Sequence, residues 1–246
     1  MDRPLTSSSP VVRLLPLRPA AHAESLLVDR ILDGSYPPES DLPAERALAE
    51  DLGVTRPTVR EALKRLERDG WISIQHGKPT RVRDIYKDGG LNILGALVKH
   101  GAALPEGFIQ QLLEVRLVMT PAYTRAALER DPEAVARLLA PATDLPDNAH
   151  AFASFDWNLH GGLTLASGNV VFRLILNGFR GFYEETAQYY FGSSEARKAS
   201  REFYAALLSA ARTRDAKRGE SITRETMKRS VMLWLSRTAR EEEKEP

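Results

Sequence analysis

The sequence predicts a mainly α protein, an N-terminal winged helix-turn-helix followed by an antiparallel bundle of about seven α-helices. Three observations carry this. Two short apolar-periodic segments meet at Gly53, and the second is strongly basic on one face. Two alternating runs, WISIQ and TRVRD, then flank the polar turn HGKP. Beyond Gly90 the periodic segments all have helical spacing.

Taken in order, residues 1–22 read as a flexible leader, because Arg13 and Arg18 interrupt the apolar run and Pro10, Pro16 and Pro19 break any helix. A helix is predicted from Ala23 to Leu32 on the apolar face Leu26, Leu27, Ile31 and Leu32, ended by Gly34 and Pro37-Pro38. DLPAERALAEDLGV repeats the pattern, with Pro43 in the first turn, Leu48 and Leu52 four apart, and Gly53 as the stop.

Thr55 then caps a third helix, since its hydroxyl can accept from an unpaired N–H of the first turn, where Pro57 is tolerated. Val59, Ala62, Leu63 and Leu66 form its apolar stripe. Lys64 and Arg68 lie opposite, Arg60 flanks the stripe and Arg56 projects from the N-terminal end. The hairpin after Gly70 forms a wing with His76 and Lys78 at its tip, and the small Gly77 between them allows close approach to a nucleic-acid backbone or a minor groove.

Charge supports a nucleic-acid partner. Over residues 56–83, eight basic side chains face only Glu61, Glu67 and Asp69, in a chain whose net charge is only +1. An ordinary solvated face laced by pairs such as Glu61 with Arg65 is the plain alternative; the order helix, helix, basic helix, basic hairpin argues against it. Arginines placed this way suit bidentate reading of guanine, and Lys64 and Arg68 suit phosphates.

Composition narrows the remaining classes. The chain of 246 residues, 43% hydrophobic and 27% charged, has no cysteine, which removes disulfides, thiolate metal sites and a cysteine nucleophile. No apolar run reaches the ~18 residues needed to span a bilayer, and a cytoplasmic protein with no membrane partner is expected.

After a polar linker at residues 86–90, ending in Gly89-Gly90, a helical domain is predicted over 91–241 with a charged tail at 242–246. Its helices fall at Leu91–His100, Glu106–Glu129, Pro132–Leu139, Asn148–Ala166, Asn169–Phe191, Ser194–Thr213 and Gly219–Glu241, separated by Gly, Pro and small polar residues. Tyr183, Tyr190 and Trp234 read as core aromatics by themselves. Arg116, between Val115 and Leu117, needs an anionic partner, either a structural carboxylate or an incoming ligand.

The segment LPAERALAEDLGVTRPTVREALKRLERDGWISIQHGKPTRVRD resembles the winged-helix domain of GntR-type regulators, and DGWISIQHGKPT resembles the FadR group. The likeness continues through GLNILGALV, LLEVRLVMT, FASFDWNLHGGL, ASGNVVFRLILNGFRGFYEE and YYFGSSEAR. It implies DNA contacts at Arg46, Thr55, Arg56, Thr58 and Arg60 on the helices and at His76, Gly77 and Lys78 on the wing. Pro57 departs from the Thr usual there.

The resemblance further implies a homodimer on a palindromic operator and a helical domain that binds a long-chain fatty acyl-CoA as effector, with no cofactor. Fatty-acid degradation genes would be repressed and unsaturated fatty acid synthesis genes activated. Arg116, Tyr183, Tyr190, Ser230 and Trp234 match positions near the effector, and the stretch from Tyr86 to Gly90 with the following helix would relay the signal. In the last helix the family's glycine, acidic residue and lysine appear as Met227, Arg229 and Ala239, leaving Lys228, Arg229 or Arg240 to meet the CoA phosphates. An effector of another kind, a small anionic metabolite, is the alternative.

Asp156 and His160, four apart, have the spacing of two metal ligands, and many relatives in the wider group complete such a site with further histidines. No histidine follows His160 here, so no metal is expected and an Asp–His hydrogen bond is the plainer reading. A helical enzyme using this pair is the formal alternative. No P-loop, Rossmann glycine pattern or G-x-S-x-G supports a catalyst.

Overall fold

The computed structural model describes residues 19–90, 93, 96, 97 and 107–242. It divides into two compact units after Gly90. Most of the predicted helix over 91–100, most of the leader and most of the charged tail lie outside the described residues.

The first unit holds α1 (Pro19–Leu32), α2 (Glu45–Asp51), α3 (Arg56–Asp69), β1 (Ile72–Ser73), β2 (Arg81–Val82) and a short α4 (Ile85–Asp88). Its core joins Leu27, Val28 and Ile31 of α1 to Leu48, to Val59, Ala62, Leu63 and Leu66 of α3, and to Trp71, Ile72 and Val82. The stripe expected on α3 is therefore the buried one. The α1 face is turned: Val28 is buried, while Leu26 and Leu32 are only half-buried.

Several boundaries differ from expectation, each for a local reason. Pro19 does not break a helix but starts one, since a first-turn proline lacks an N–H that would be unpaired anyway, so residues 19–22 are helix rather than leader. Pro43 stays outside α2, because Leu42 is held extended by its N–H to the Thr80 carbonyl at 2.7 Å. The wing strands have two residues each, with Ile72 opposite Val82 and Ser73 opposite Arg81. They stop there because the Ile74 N–H turns to the Glu67 carboxylate at 3.0 Å. The expected linker begins inside a helical turn, which Asp84 just before it caps by accepting from the N–H groups of Tyr86 and Lys87.

The second unit holds α5 (Phe108–Arg130), α6 (Pro132–Leu139), a 3₁₀ turn (Ala140–Asp144), α7 (Ala149–Ala166), α8 (Val170–Gly178), α9 (Arg180–Phe191), α10 (Ser194–Arg212) and α11 (Ala216–Glu242). Asp131, Asn148, Asn169 and Ser193 cap the helices that follow them. The single helix expected over 169–191 is two helices, broken where Phe179 leaves helical geometry after Gly178. The last helix begins three residues before Gly219, because the Asp215 carboxylate accepts from the Arg218 N–H at 2.9 Å. Gly219 is then needed for packing: a Cβ there would lie 2.1 Å from a Leu128 methyl. The core of this unit is built from Tyr123, Leu128, Leu139, Phe152, Leu163 and Leu207 with their neighbours. Among the described residues, no helix is long and apolar enough to cross a membrane.

Candidate nucleic-acid interface and effector pocket

The basic face of the first unit grows out of the start of α3. The Thr55 hydroxyl accepts from the Thr58 N–H at 3.4 Å and lies 2.8 Å from the Thr58 hydroxyl, so both threonines are fixed at the helix entry. Arg56, Arg60 and Lys64 follow at intervals of four, all exposed on the side away from the stripe. Arg46 is also exposed and donates Nε–H to Glu50 at 3.0 Å. Arg60 donates through two nitrogens to Glu45, at 3.1 and 2.7 Å.

On the wing, His76, Gly77 and Lys78 are exposed. The turn closes through the Lys78 N–H to the Gln75 carbonyl at 3.1 Å, with Gly77 at φ +75°, a backbone conformation that favours glycine. The unit therefore presents an exposed helix face with spaced cations and an exposed wing tip fit for close approach. That is the geometry for a helix in a major groove with a wing on the flanking backbone.

In the second unit, side chains from α5 and α7 to α11 line a cavity of ≈ 110 Å³. Arg116, Tyr183, Tyr190, Ser230 and Trp234 all line it, although they are spread over 119 positions of chain from Arg116 to Trp234. Most of the wall is apolar, including Leu112, Met119, Phe172, Leu176 and Phe203. Trp234 meets Tyr189 edge-on at 5.1 Å, and the Ser230 hydroxyl donates back to the Met227 carbonyl at 2.9 Å. Met227, only 4% exposed, fills part of the same wall. Arg229 points to Glu202, 2.8 Å away, and Lys228 to Glu225.

One end of the cavity is polar: it joins Arg116, Tyr183, Asp156 and His160, all singled out in the sequence, to Thr120, Tyr123 and Tyr204, which the sequence reading passed over. Asp156, 4% exposed, accepts from Arg116 at 3.0 Å, from Tyr204 at 3.0 Å and from Tyr183. His160 Nε2 lies 3.4 Å from the same carboxylate and 3.0 Å from an Arg116 nitrogen. Its Nδ1 lies 2.8 Å from the Tyr123 hydroxyl, which donates to Thr120 at 3.2 Å. Asp156 and His160 are thus neighbours at 3.4 Å within a wider network, whose hydrogen bonds run instead from Asp156 to Arg116, Tyr183 and Tyr204 and from His160 to Arg116 and Tyr123.

The electrostatics of this network follow from its burial. Desolvation pushes the Asp156 carboxyl up, but His160, the Arg116 guanidinium and the Tyr183 hydroxyl outweigh it and hold the group well below the usual carboxylate range. Burial likewise favours the neutral Arg116, and the Asp156 charge reverses that and keeps it cationic. Burial pushes the Tyr123 phenol up to about 12 and raises Tyr183 and Tyr204 as well, the latter two with the Asp156 charge beside them. Asp156 accepts from Arg116 and Tyr183 on one oxygen and from Tyr204 on the other, so both oxygens already have protein donors.

Comparison with known proteins matches residues 19–82 to the bacterial regulatory proteins of the gntR family and residues 83–243 to the FadR C-terminal domain. A fatty acid metabolism regulator protein of Shewanella amazonensis is 48% identical over 189 residues, covering 76% of this chain and 78% of that one. The protein of the same description from Shewanella oneidensis is 43% identical over 220 residues, 88% of this chain and 90% of that one. A solved structure of Lar, described as controlling the agr system of Listeria monocytogenes, superposes with a TM-score of 0.59 at 15% identity, over 90% of this chain and 97% of that one, which speaks to the fold. With a winged helix bearing spaced cations and a helical domain matched end to end, the chain belongs to the GntR family of bacterial regulatory proteins, in the branch with the FadR C-terminal domain, and is a transcription regulator, not an enzyme.

Proposed function

We propose that this protein is a cytoplasmic homodimeric regulator of fatty acid metabolism that leaves its palindromic operator when a long-chain fatty acyl-CoA enters the helical domain. It represses fatty-acid degradation genes and activates unsaturated fatty acid synthesis genes. In this reading Arg46, Arg56 and Arg60 read the major groove, Thr55 and Thr58 brace the helix entry, Lys64 holds phosphate, and His76 and Lys78 reach the minor groove. Two-fold symmetry gives each winged helix one half-site.

The observation that carries the effector assignment is the cavity's charge balance. Most of its wall is apolar, and among the described residues Arg116, the one Arg or Lys that lines it, is already matched by Asp156. A small anionic metabolite would have to displace a buried carboxylate, whereas a neutral hydrocarbon chain with its charged head outside meets no such cost. The cavity of ≈ 110 Å³ is smaller than the roughly 300–1,000 Å³ of typical ligand sites, so a long chain has to move a wall. The wall best suited is α8, which contributes Phe172 and Leu176 to the lining and has no buried residue. The ligand shifts the operator-binding equilibrium by its differential affinity for the two states.

The test is fluorescence anisotropy of a labelled palindromic operator at fixed salt, with long-chain acyl-CoA, free CoA or free fatty acid. Release by acyl-CoA alone supports the whole reading. Tight binding indifferent to acyl-CoA removes the effector, and absence of sequence preference removes the operator.

A further inference from the structure

Three arginines on the DNA-facing surface are placed for base reading, and they are held differently. Arg46 gives one hydrogen bond to Glu50, a turn along its own helix. Arg56 meets Glu45 only through longer-range attraction. Arg60 is clamped: its Nε–H reaches Glu45 Oε1 at 3.1 Å and its Nη2–H reaches Oε2 at 2.7 Å. The clamp joins the first residue of α2 to the second turn of α3.

A guanidinium has five N–H donors in a rigid planar fork. Glu45 takes the side edge, formed by Nε–H and one Nη2–H. The end edge, formed by Nη1–H and the other Nη2–H, stays open, and its two parallel donors match the O6 and N7 acceptors of guanine. A free arginine would lose rotamer freedom on binding; Arg60 has given up much of it beforehand.

We infer that Glu45 is a positioning residue for sequence recognition, holding Arg60 by one edge and presenting the other to a guanine. The inference rests on the reading of Arg60 as a DNA-contacting residue. A carboxylate beside the phosphate backbone opposes binding to any duplex, so its benefit has to appear as discrimination. Its hydrogen bond with Arg60, and then the attraction of that charge, hold the Glu45 carboxyl below its usual range, so the clamp is intact at neutral pH. The pair is substantially exposed, 58% for Arg60 and 32% for Glu45, and such pairs add little to folding stability.

The experiment takes the full chain with a palindromic operator that the wild-type protein selects from a random pool. Dissociation constants are measured for wild type, Glu45→Gln, Glu45→Asp, Arg60→Ala and the Glu45→Gln/Arg60→Ala double variant. The duplexes are the operator, single-pair variants at each guanine of the half-site, and random DNA, at several salt concentrations. Arg60→Ala should lose preference at one guanine, by roughly 5- to 150-fold, the range for one bidentate contact.

Glu45→Gln should lose several-fold of that preference at the same guanine and bind random DNA several-fold tighter, with Tm unchanged. Glu45→Asp, which keeps the charge on a shorter stem, should lose preference without the gain on random DNA. At that guanine the double variant should match Arg60→Ala. Full preference retained in Glu45→Gln overturns the role of Glu45 while leaving Arg60 as a reader, and so does an equal loss at every guanine with a lower Tm. If Arg60→Ala itself loses no preference, the DNA reading of Arg60 fails and the clamp's role fails with it.

Discussion

Replacing Asp156 with alanine removes the carboxylate on which four side chains of the helical domain converge. Arg116 loses its counter-ion at 3.0 Å, and the Tyr183 and Tyr204 hydroxyls lose their acceptor. Breaking a buried ion pair from one side costs about 3–5 kcal/mol, because the remaining charge is left desolvated. Each orphaned hydroxyl adds about 1–3 kcal/mol when no water can reach it. Arg116 is 31% exposed toward the cavity, so water recovers part of this, and a net loss of about 4 kcal/mol is expected. For a chain of this size that corresponds to a fall of roughly 8–16 °C in the melting transition of the helical domain. The assay is guanidinium and thermal unfolding followed by far-UV circular dichroism, fitted with separate transitions for the two units. Asp156→Ala combined with Arg116→Met should regain much of the loss, because no unpaired charge remains. A single-variant loss under about 1 kcal/mol, or no recovery in the pair, would refute the argument that the ion pair dominates this site.

Further outcomes follow from the same structure. Because the folded Asp156 carboxyl lies below its unfolded value of ~3.9, its contribution is full above that pH and disappears as pH falls toward the folded value. Asp156→Asn should therefore flatten the acid limb of the stability profile below about pH 4, read by urea unfolding from pH 2 to 6. Tyr123 moves the other way: neutral in the fold up to about 12 against 10.0 unfolded, it contributes below pH 10 and loses about 3 kcal/mol by pH 12. Tyr123→Phe should remove that share of the alkaline loss, and an unchanged alkaline limb would count against its burial. On the DNA side, Arg56→Ala should cost about 1–3 kcal/mol on the operator and relax base preference. Lys64→Ala should weaken every sequence alike and reduce the salt slope by about 1, with competition titrations on operator and random DNA separating the two.

The winged helix was legible because its signals are local. Thr55 as cap, Pro57 in the first turn, Gly70 as stop and the four-residue spacing of Arg56, Arg60 and Lys64 depend on neighbours within two turns of helix. The strand ends were not legible, since they depend on where Glu67, seven residues before Ile74, places its carboxylate. The break at Phe179 was hidden inside a continuous apolar period. The Asp156–His160 spacing was visible and read as an internal Asp–His hydrogen bond rather than a metal or catalytic pair, but the rest of the network was hidden, because spacing along one helix says nothing of what faces it from the others.

By itself the sequence determined the class of molecule. Charge, capping and periodicity yield a basic winged helix before a helical domain, since helix faces and turn chemistry are set by residues a few positions apart. Only the tertiary structure decided what the long-range partners do. Arg116, Tyr183 and Tyr204 reach Asp156 across 40, 27 and 48 residues of chain, and Arg60 reaches Glu45 across 15. A charged side chain's role depends on whether it is neutralised, desolvated or left open, and that is settled by packing between helices.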